Sequence, residues 1–297
     1  MRINWKGKVS NDFYVLGHAA APVFLLDGPA PVLFDAGFTS LARVYESEIR
    51  KILDFRSPAY LFLTHTHWDH IGSAAYFKAL WPNIRIACSL QGRKTLTRPG
   101  AIQQIRTLNR EAIAVLKTWG VNEVYRGQFE PFNPDLVLDP GQRIKVGPNL
   151  SIQVIPTPGH TWDSLSYWVP ERKILVAAEA AGCDGVCEFL VDYDAYRNSL
   201  EAISRLDVEI LCPGHKLVLT GSDAREYIRQ SLDHATEYVD MVERFLREEK
   251  GDIDRTITRV KTAEWDLRPL PKQPERAYLM NTKARVKTLL ERMKKKE

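Results

Sequence analysis

Thr64-His65-Thr66-His67-Trp68-Asp69-His70 follows directly on the apolar run Ala59-Tyr60-Leu61-Phe62-Leu63. A short apolar run bounded in this way reads as a buried strand that delivers its C-terminal end to a site. Residues 65–70 carry three of the chain's seven histidines together with a carboxylate. That spacing suits two metal ions side by side better than one. His65 and His67 reach one metal from the extended turn, while Asp69 and His70, further round, point at a second. Trp68 and Ile71 add bulk that a histidine-rich surface loop would not need.

A catalytic divalent metal takes about three protein ligands and keeps a position open for water, so other segments must contribute donors. His160 stands in Thr157-Pro158-Gly159-His160-Thr161, after the apolar alternation Ser151-Ile152-Gln153-Val154-Ile155. His215 stands in Cys212-Pro213-Gly214-His215, after Val208-Glu209-Ile210-Leu211. Each follows a strand and a Pro-Gly turn, which ends the strand sharply and exposes the next side chain. Three histidine-bearing loops at strand ends define one edge of a sheet.

The order His-X-His-X-Asp-His, Pro-Gly-His, an acidic residue after an apolar strand, and a last Pro-Gly-His resembles the metallo-β-lactamase superfamily over about residues 10 to 220. The resemblance implies an α/β fold, a four-layer αββα sandwich with the metal centre at one edge. It implies His65, His67 and His160 on one metal, and Asp69, His70 and His215 on the other. Val32-Leu33-Phe34-Asp35-Ala36-Gly37 matches an early strand ending in Asp and Gly, which gives Asp35 a supporting role, orienting a ligand histidine. A simple turn cap is the alternative for Asp35.

One position departs from the family pattern. The run Arg172-Lys173-Ile174-Leu175-Val176-Ala177-Ala178 leads to Glu179, where the family has Gly-Asp with the Asp bridging both metals. The extra methylene moves a carboxylate by roughly an ångström, large against the ~0.2 Å tolerance of ligand distances. Either the strand retreats and Glu179 is a ligand, or the second metal is held differently and Glu179 only supports the site. Ala178 in place of glycine points to a local change of backbone.

The 297 residues and formal net charge of +4 allow a substantial core and an anionic substrate, without arguing for nucleic acid. No apolar run of about 18 residues predicts a membrane span, and Met1-Arg2-Ile3-Asn4-Trp5-Lys6 lacks a signal-peptide core, so a cytoplasmic location is expected. Cys88, Cys183, Cys187 and Cys212 are scattered and read as reduced thiols; the loose Cys183-X-X-X-Cys187 pair keeps a redox or metal role open.

Two helical additions carry the substrate question. Ile102, Ile105, Leu108, Ala112, Val115, Leu116 and Trp119 recur at helical spacing, within an insertion near 90–130. After His215, a helix is expected to start at Ser222-Asp223, bury Tyr227, Ile228, Ala235, Tyr238, Val239, Val242, Phe245 and Leu246, and end near Gly251. Another runs from Pro274 to the lysine tail. The expected organisation is a sandwich over 1–220 and a helical extension over 221–297 packed on it, with an apolar stripe that suits a core or a homodimer. Arg106-Thr107-Leu108-Asn109-Arg110, the run Phe189 to Tyr196 and the helical C-terminus are similar to the subgroup that includes the quinolone-signal response thioesterase of pseudomonads, which implies thioester chemistry.

The resulting expectation is a hydrolase of a thioester or ester that uses a metal-bound hydroxide at a dinuclear centre of zinc, iron or manganese ions. Its substrate would be a small molecule, an anionic acyl thioester being one candidate. Asp69 would ligate a metal and orient the attacking water. Tyr193 and Tyr196 follow Glu179 closely in sequence and are candidate substrate contacts or core tyrosines. Two alternatives remain: a mononuclear-iron oxygenase of the same superfamily, and a non-enzymatic regulatory or partner-binding protein with a structural metal centre. The second-site set Asp69, His70 and His215 argues against the oxygenase. A flavin-linked diiron reductase would need an acidic residue where His67 stands, and a flavin domain.

Overall fold

Along the strand Ala21–Leu26, Phe24 and Leu26 face one way and Val23 and Leu25 the other, and all four are buried in two different hydrophobic clusters. The same holds for Ile174–Ala178, where Ile174 and Val176 join one cluster and Leu175 and Ala177 another. Successive strand side chains point to opposite faces, so a strand buried on both sides lies in a sheet covered on both sides. A computed structural model describes residues 2–3, 6–121, 124–182, 186–216, 218–268 and 275–296. Among them, two seven-stranded sheets lie face to face.

One sheet begins with the first strand in sequence. It runs β1 (Arg2–Ile3), β14 (Val218–Thr220), β13 (Ile210–Pro213), β12 (Ile174–Ala178), β11 (Leu165–Val169), β10 (Leu150–Pro156) and β9 (Arg143–Gly147). The other runs β2 (Gly7–Lys8), β3 (Phe13–His18), β4 (Ala21–Leu26), β5 (Val32–Phe34), β6 (Tyr60–Phe62), β7 (Arg85–Ser89) and β8 (Leu136–Leu138). Pairing is parallel for β5–β6, β6–β7 and β7–β8 in the latter sheet and for β12–β13 in the former. Their inner faces meet through Phe34, Phe62 and Tyr167, among others.

The outer face of the β2–β8 sheet is covered by α1 (Ala42–Leu53), α3 (Ala74–Leu80) and α5 (Pro99–Thr118), with the short α2 (Trp68–Ile71) and α4 (Leu90–Thr95) beside them. The outer face of the other sheet is covered by α6 (Tyr193–Ile203), α7 (Ser222–Glu248), α8 (Ile253–Val260) and α9 (Glu275–Lys296). This is the αββα order of layers. Val260, Val286 and Leu289 of the C-terminal helices share one cluster with Leu175, Leu211 and Leu219 of the sheet. Each such fully buried aliphatic side chain contributes about 1.5–3 kcal/mol, so the helical extension and the sandwich share one core.

One element boundary differs from expectation, at the start of β12, and the end of α7 lies near Gly251 as expected. Pro170–Arg172 forms a 3-10 turn, Lys173 adopts φ +51°, and the strand begins only at Ile174. Helix α7 ends at Glu248, and Gly251, with φ +80°, donates its N–H back to the Leu246 carbonyl. Cys88, Cys187 and Cys212 are free and buried, in three separate clusters; Cys183 and Pro274 lie outside the described residues. Among the described helices, none is long and apolar enough to cross a membrane.

Candidate metal centre

Four of the candidate segments leave the C-terminal ends of parallel strands: Asp35 after β5, residues 64–70 after β6, Glu179 after β12 and His215 after β13. In α/β sheets, that end is where ligands bind. His160 joins them from the turn after β10. Neighbouring backbone sews the turns together. Asp163 accepts from the Thr66 N–H at 2.8 Å and the Thr66 hydroxyl at 2.7 Å, while Leu165 donates to the Thr64 carbonyl at 2.7 Å. The loop of one sheet is thereby tied to the loop of the other.

The side chains converge. Three sets of donor atoms each lie within 4.8 Å of one another: His65, His67 and His160; His65, His70 and Glu179; and Asp69, His70 and His215. Glu179 occupies the middle. Its Oε1 is 2.9 Å from His70 Nε2 and 2.8 Å from His215 Nε2, and its Oε2 is 3.7 Å from His65 Nε2. His160 Nε2 lies 3.0 Å from His67 Nδ1. The structure therefore brings together all seven proposed ligand residues.

Most imidazoles are oriented by an oxygen on the ring nitrogen that faces away. His70 Nδ1 donates to Asp35 Oδ2 at 2.8 Å, His160 Nδ1 to the Glu188 carbonyl at 2.5 Å, and His215 Nδ1 to the Ala20 carbonyl at 2.7 Å. Such partners fix the tautomer and aim the opposite nitrogen into the centre. Asp35 also accepts from the Thr64 N–H and hydroxyl, so it holds the start of the ligand turn as well as His70.

Electrostatics match the donor chemistry of a cation site. Burial pushes His65 well below its ordinary value, the His70 charge adding to it, and burial lowers His160 to about 4. Burial opposes the charge on Glu179, yet His70 and His65 hold its carboxyl well below the usual range. Burial works against protonation of His70, but the Glu179 and Asp35 carboxylates lift it well above 6.5. The neutral His65 and His160 rings thus stand beside a carboxylate that is charged. The fit to a cation is clearest at His65 Nε2 and Glu179 Oε2, both buried and without a hydrogen-bond partner. A buried polar atom left unpaired is costly, and a metal ion satisfies both at once.

Glu179 reaches the centre through a distorted backbone. Ala178 has φ +47° and ψ −142°, and the β12–β13 register shifts between Val176 and Ala178. That region of φ/ψ belongs to glycine and costs another residue about 1–3 kcal/mol. Ala178→Gly is therefore expected to stabilise the protein by about 1 kcal/mol, measured by urea denaturation. Gly214 makes the room: a Cβ there would lie 2.4 Å from Glu179 Oε1.

Tyr196 is placed in the core, while Tyr193, largely buried, also lines a cavity between α6, α7 and α9 with Arg197, Thr236 and Arg292. Tyr196 is fully buried with its backbone against Gly159, where a Cβ would sit 2.4 Å away, and Tyr193 packs on Phe189 under Arg292. Asp163 and Asn109 are supporting residues that pattern reading passes over. Asn109, mid-way along α5, donates to the Trp68 carbonyl and accepts from the Thr39 N–H, both at 2.9 Å. A buried Asn interrupting an apolar helical stripe was the one available signal.

Comparison with known proteins agrees with this geometry. The profile of the metallo-β-lactamase superfamily matches residues 20–215. A "Beta-lactamase-like protein 2 homolog" of Caenorhabditis elegans is 24% identical over 266 residues, covering 86% of this chain and 78% of its own. "Glyoxylase B2" of Dictyostelium discoideum is 29% identical over 119 residues, 40% of this chain and 34% of its own. Among solved structures, a metallo-β-lactamase family protein of Thermus thermophilus superimposes with TM-score 0.67 at 18% identity, over 97% of this chain and 95% of that one. A B3 metallo-β-lactamase described as having an active-site glutamic acid gives TM-score 0.56 at 20% identity, over 78% and 89%. With the profile spanning most of its length, the chain belongs to the metallo-β-lactamase superfamily.

Proposed function

We propose that the protein is a metal-dependent hydrolase of a thioester or ester, with two divalent cations held by His65, His67 and His160 and by Asp69, His70 and His215, and with Glu179 between them. The observation that carries this reading is the convergence of seven donors around the unpaired His65 Nε2 and Glu179 Oε2. Membership of a superfamily of mostly hydrolytic metalloenzymes supports it. When bound, the cations supply water of lowered pKa and polarise a carbonyl oxygen. Asp69 stands at the open side: its side chain is 16% exposed, with Oδ2 3.6 Å from His215 Nε2. From there its carboxylate accepts a hydrogen bond from the attacking water and directs the lone pair at the carbonyl carbon. The carbon–oxygen bond would form as the water proton passes to the Asp69 carboxylate, and the carbon–sulfur or carbon–oxygen bond to the leaving group would then break as the carbonyl re-forms. A thiolate departs without a proton donor, which suits a centre whose imidazoles are already engaged.

The test is a hydrolysis panel of coenzyme A thioesters, glutathione thioesters, aryl esters and lactones, run on protein loaded with zinc, iron or manganese and on His67→Ala. Turnover that needs metal and disappears in His67→Ala is the expected result. Equal turnover in both proteins, or none with any metal, would remove the hydrolase reading.

A further inference from the structure

The inward face of α9 is unusual in what it buries. Arg285 has no exposed surface, and none of its three guanidinium nitrogens makes a hydrogen bond among the described residues. Thr282, one turn earlier on the same face, has a buried hydroxyl without a partner, and so does Tyr238 of α7. The Arg285 guanidinium carbon lies 5.4 Å from the Tyr238 ring centroid. Glu188 Oε2 stands 3.9 Å from Arg285 Nη2, near enough to feel the charge and too far for a hydrogen bond. Glu264 is engaged by the Tyr278 hydroxyl at 2.6 Å and by Arg268 at 2.8 Å.

Donors without a close hydrogen bond among the described residues therefore collect in one buried place, with Glu188 as the nearest carboxylate. A buried guanidinium whose nearest carboxylate stands 3.9 Å away, beyond hydrogen-bond reach, is costly, so the cluster suits a ligand that brings acceptors. The place adjoins the metal centre: the carbonyl of Glu188 accepts from His160 Nδ1, and Phe189, the next residue, packs on Tyr238 with ring centroids 6.1 Å apart. A carboxylate matches the planar fork of arginine with two parallel hydrogen bonds. A doubly charged phosphate matches it less well, because Glu188 already contributes negative potential there.

We propose that Arg285, Tyr238 and Thr282 form a buried recognition site for a carboxylate carried by the substrate, on the helical side of the metal centre. That the carboxylate belongs to a substrate rests on the hydrolase reading; the anion site does not. The experiment compares metal-loaded wild type, Arg285→Met and Tyr238→Phe on ω-carboxyacyl thioesters and on their methyl-terminated counterparts with the same thiol. Methionine is chosen because apolar replacement of a buried charge is commonly tolerated by the fold. Tyr238→Phe keeps the ring and removes one donor, so it reports even where Arg285→Met does not fold.

Wild type is expected to favour the carboxylated chain by about 100-fold or more in kcat/KM, since a site built for a polar group rejects the analogue lacking it. Arg285→Met should erase that preference, mainly through KM, and leave the uncharged substrate within about 3-fold of wild type; Tyr238→Phe should shrink the preference by about 10-fold. Preference that is absent in wild type or unchanged in both variants overturns the proposal. If no thioester is turned over, the hydrolase reading fails, and calorimetric titration with butyrate and with inorganic phosphate decides the anion site alone. Butyrate binding about 10-fold weaker in the variants supports it; equal binding in all three proteins, or preference for phosphate, overturns it.

Discussion

Glu179→Gln is expected to keep the fold and lose metal-dependent turnover by more than the roughly 10- to 100-fold that loss of an outer partner costs a metal site. The carboxylate Oε1 lies 2.9 Å from His70 Nε2 and 2.8 Å from His215 Nε2, and Oε2 is left free beside His65. Glutamine has the same shape and no charge, and its amide nitrogen is a donor that must face one of three ring nitrogens. A cation shared between the two histidine groups would lose the one anionic ligand other than Asp69 that the described donor sets offer it. The measurement is bound metal per chain after dialysis, alongside turnover and thermal denaturation. Full metal content and turnover in Glu179→Gln would show that Glu179 supports the site without holding a metal. Glu179→Asp refines the point: on the kinked backbone of Ala178, the shorter side chain retracts by roughly an ångström, and it too should lose metal.

How much of this was legible in the sequence depends on how local each feature is. The turn from His65 to His70 carries four donors within six residues, so its spacing speaks for itself. Pro-Gly-His is equally local at His160 and His215, because a strand end, a turn and the imidazole that follows it occupy consecutive positions. Ala178 and Glu179 were legible as a departure, and the structure supplies the cause, a positive φ and a register shift. The supports were not legible. Asp163 acts on Thr66 from 97 residues away, and Asn109 on Trp68 from 41 residues away. Arg285 occupies a helical face otherwise made of Tyr278, Thr282, Val286 and Leu289, where an arginine in sequence reads as the edge of a solvated face. Only the packing of α9 on α7 and on the segment after Glu179 turns it inward. Tyr193 and Tyr196 lie on the buried face of the helix that begins at Tyr193, which matches the core reading that their place in the sequence left open.

The two Pro-Gly-His glycines should answer alanine substitution in opposite ways. At Gly159, φ is +130° and a Cβ would lie 2.4 Å from the Cα and N of Tyr196. Backbone of a buried helix has nowhere to go, and the conformation is itself closed to alanine. Strain of about 1–3 kcal/mol adds to overpacking of about 1–3 kcal/mol. Gly159→Ala is thus expected to cost about 3 kcal/mol or more, lowering Tm by roughly 6–12 °C whether or not metal is present. At Gly214 the clash is with a functional group: Glu179 Oε1 at 2.4 Å, Cδ at 2.6 Å and Oε2 at 2.9 Å. A carboxylate can swing aside, but only by abandoning His70 and His215. Gly214→Ala should therefore leave the Tm of chelator-treated protein within about 2 °C of wild type, a surface-scale effect, while bound metal and turnover fall as they do for Glu179→Gln. Thermal denaturation with and without chelator, together with metal content, separates the two. Large destabilisation of chelated Gly214→Ala would mean that Glu179 is locked by packing and not by the histidines. Normal metal content in that variant would move the carboxylate out of the centre altogether.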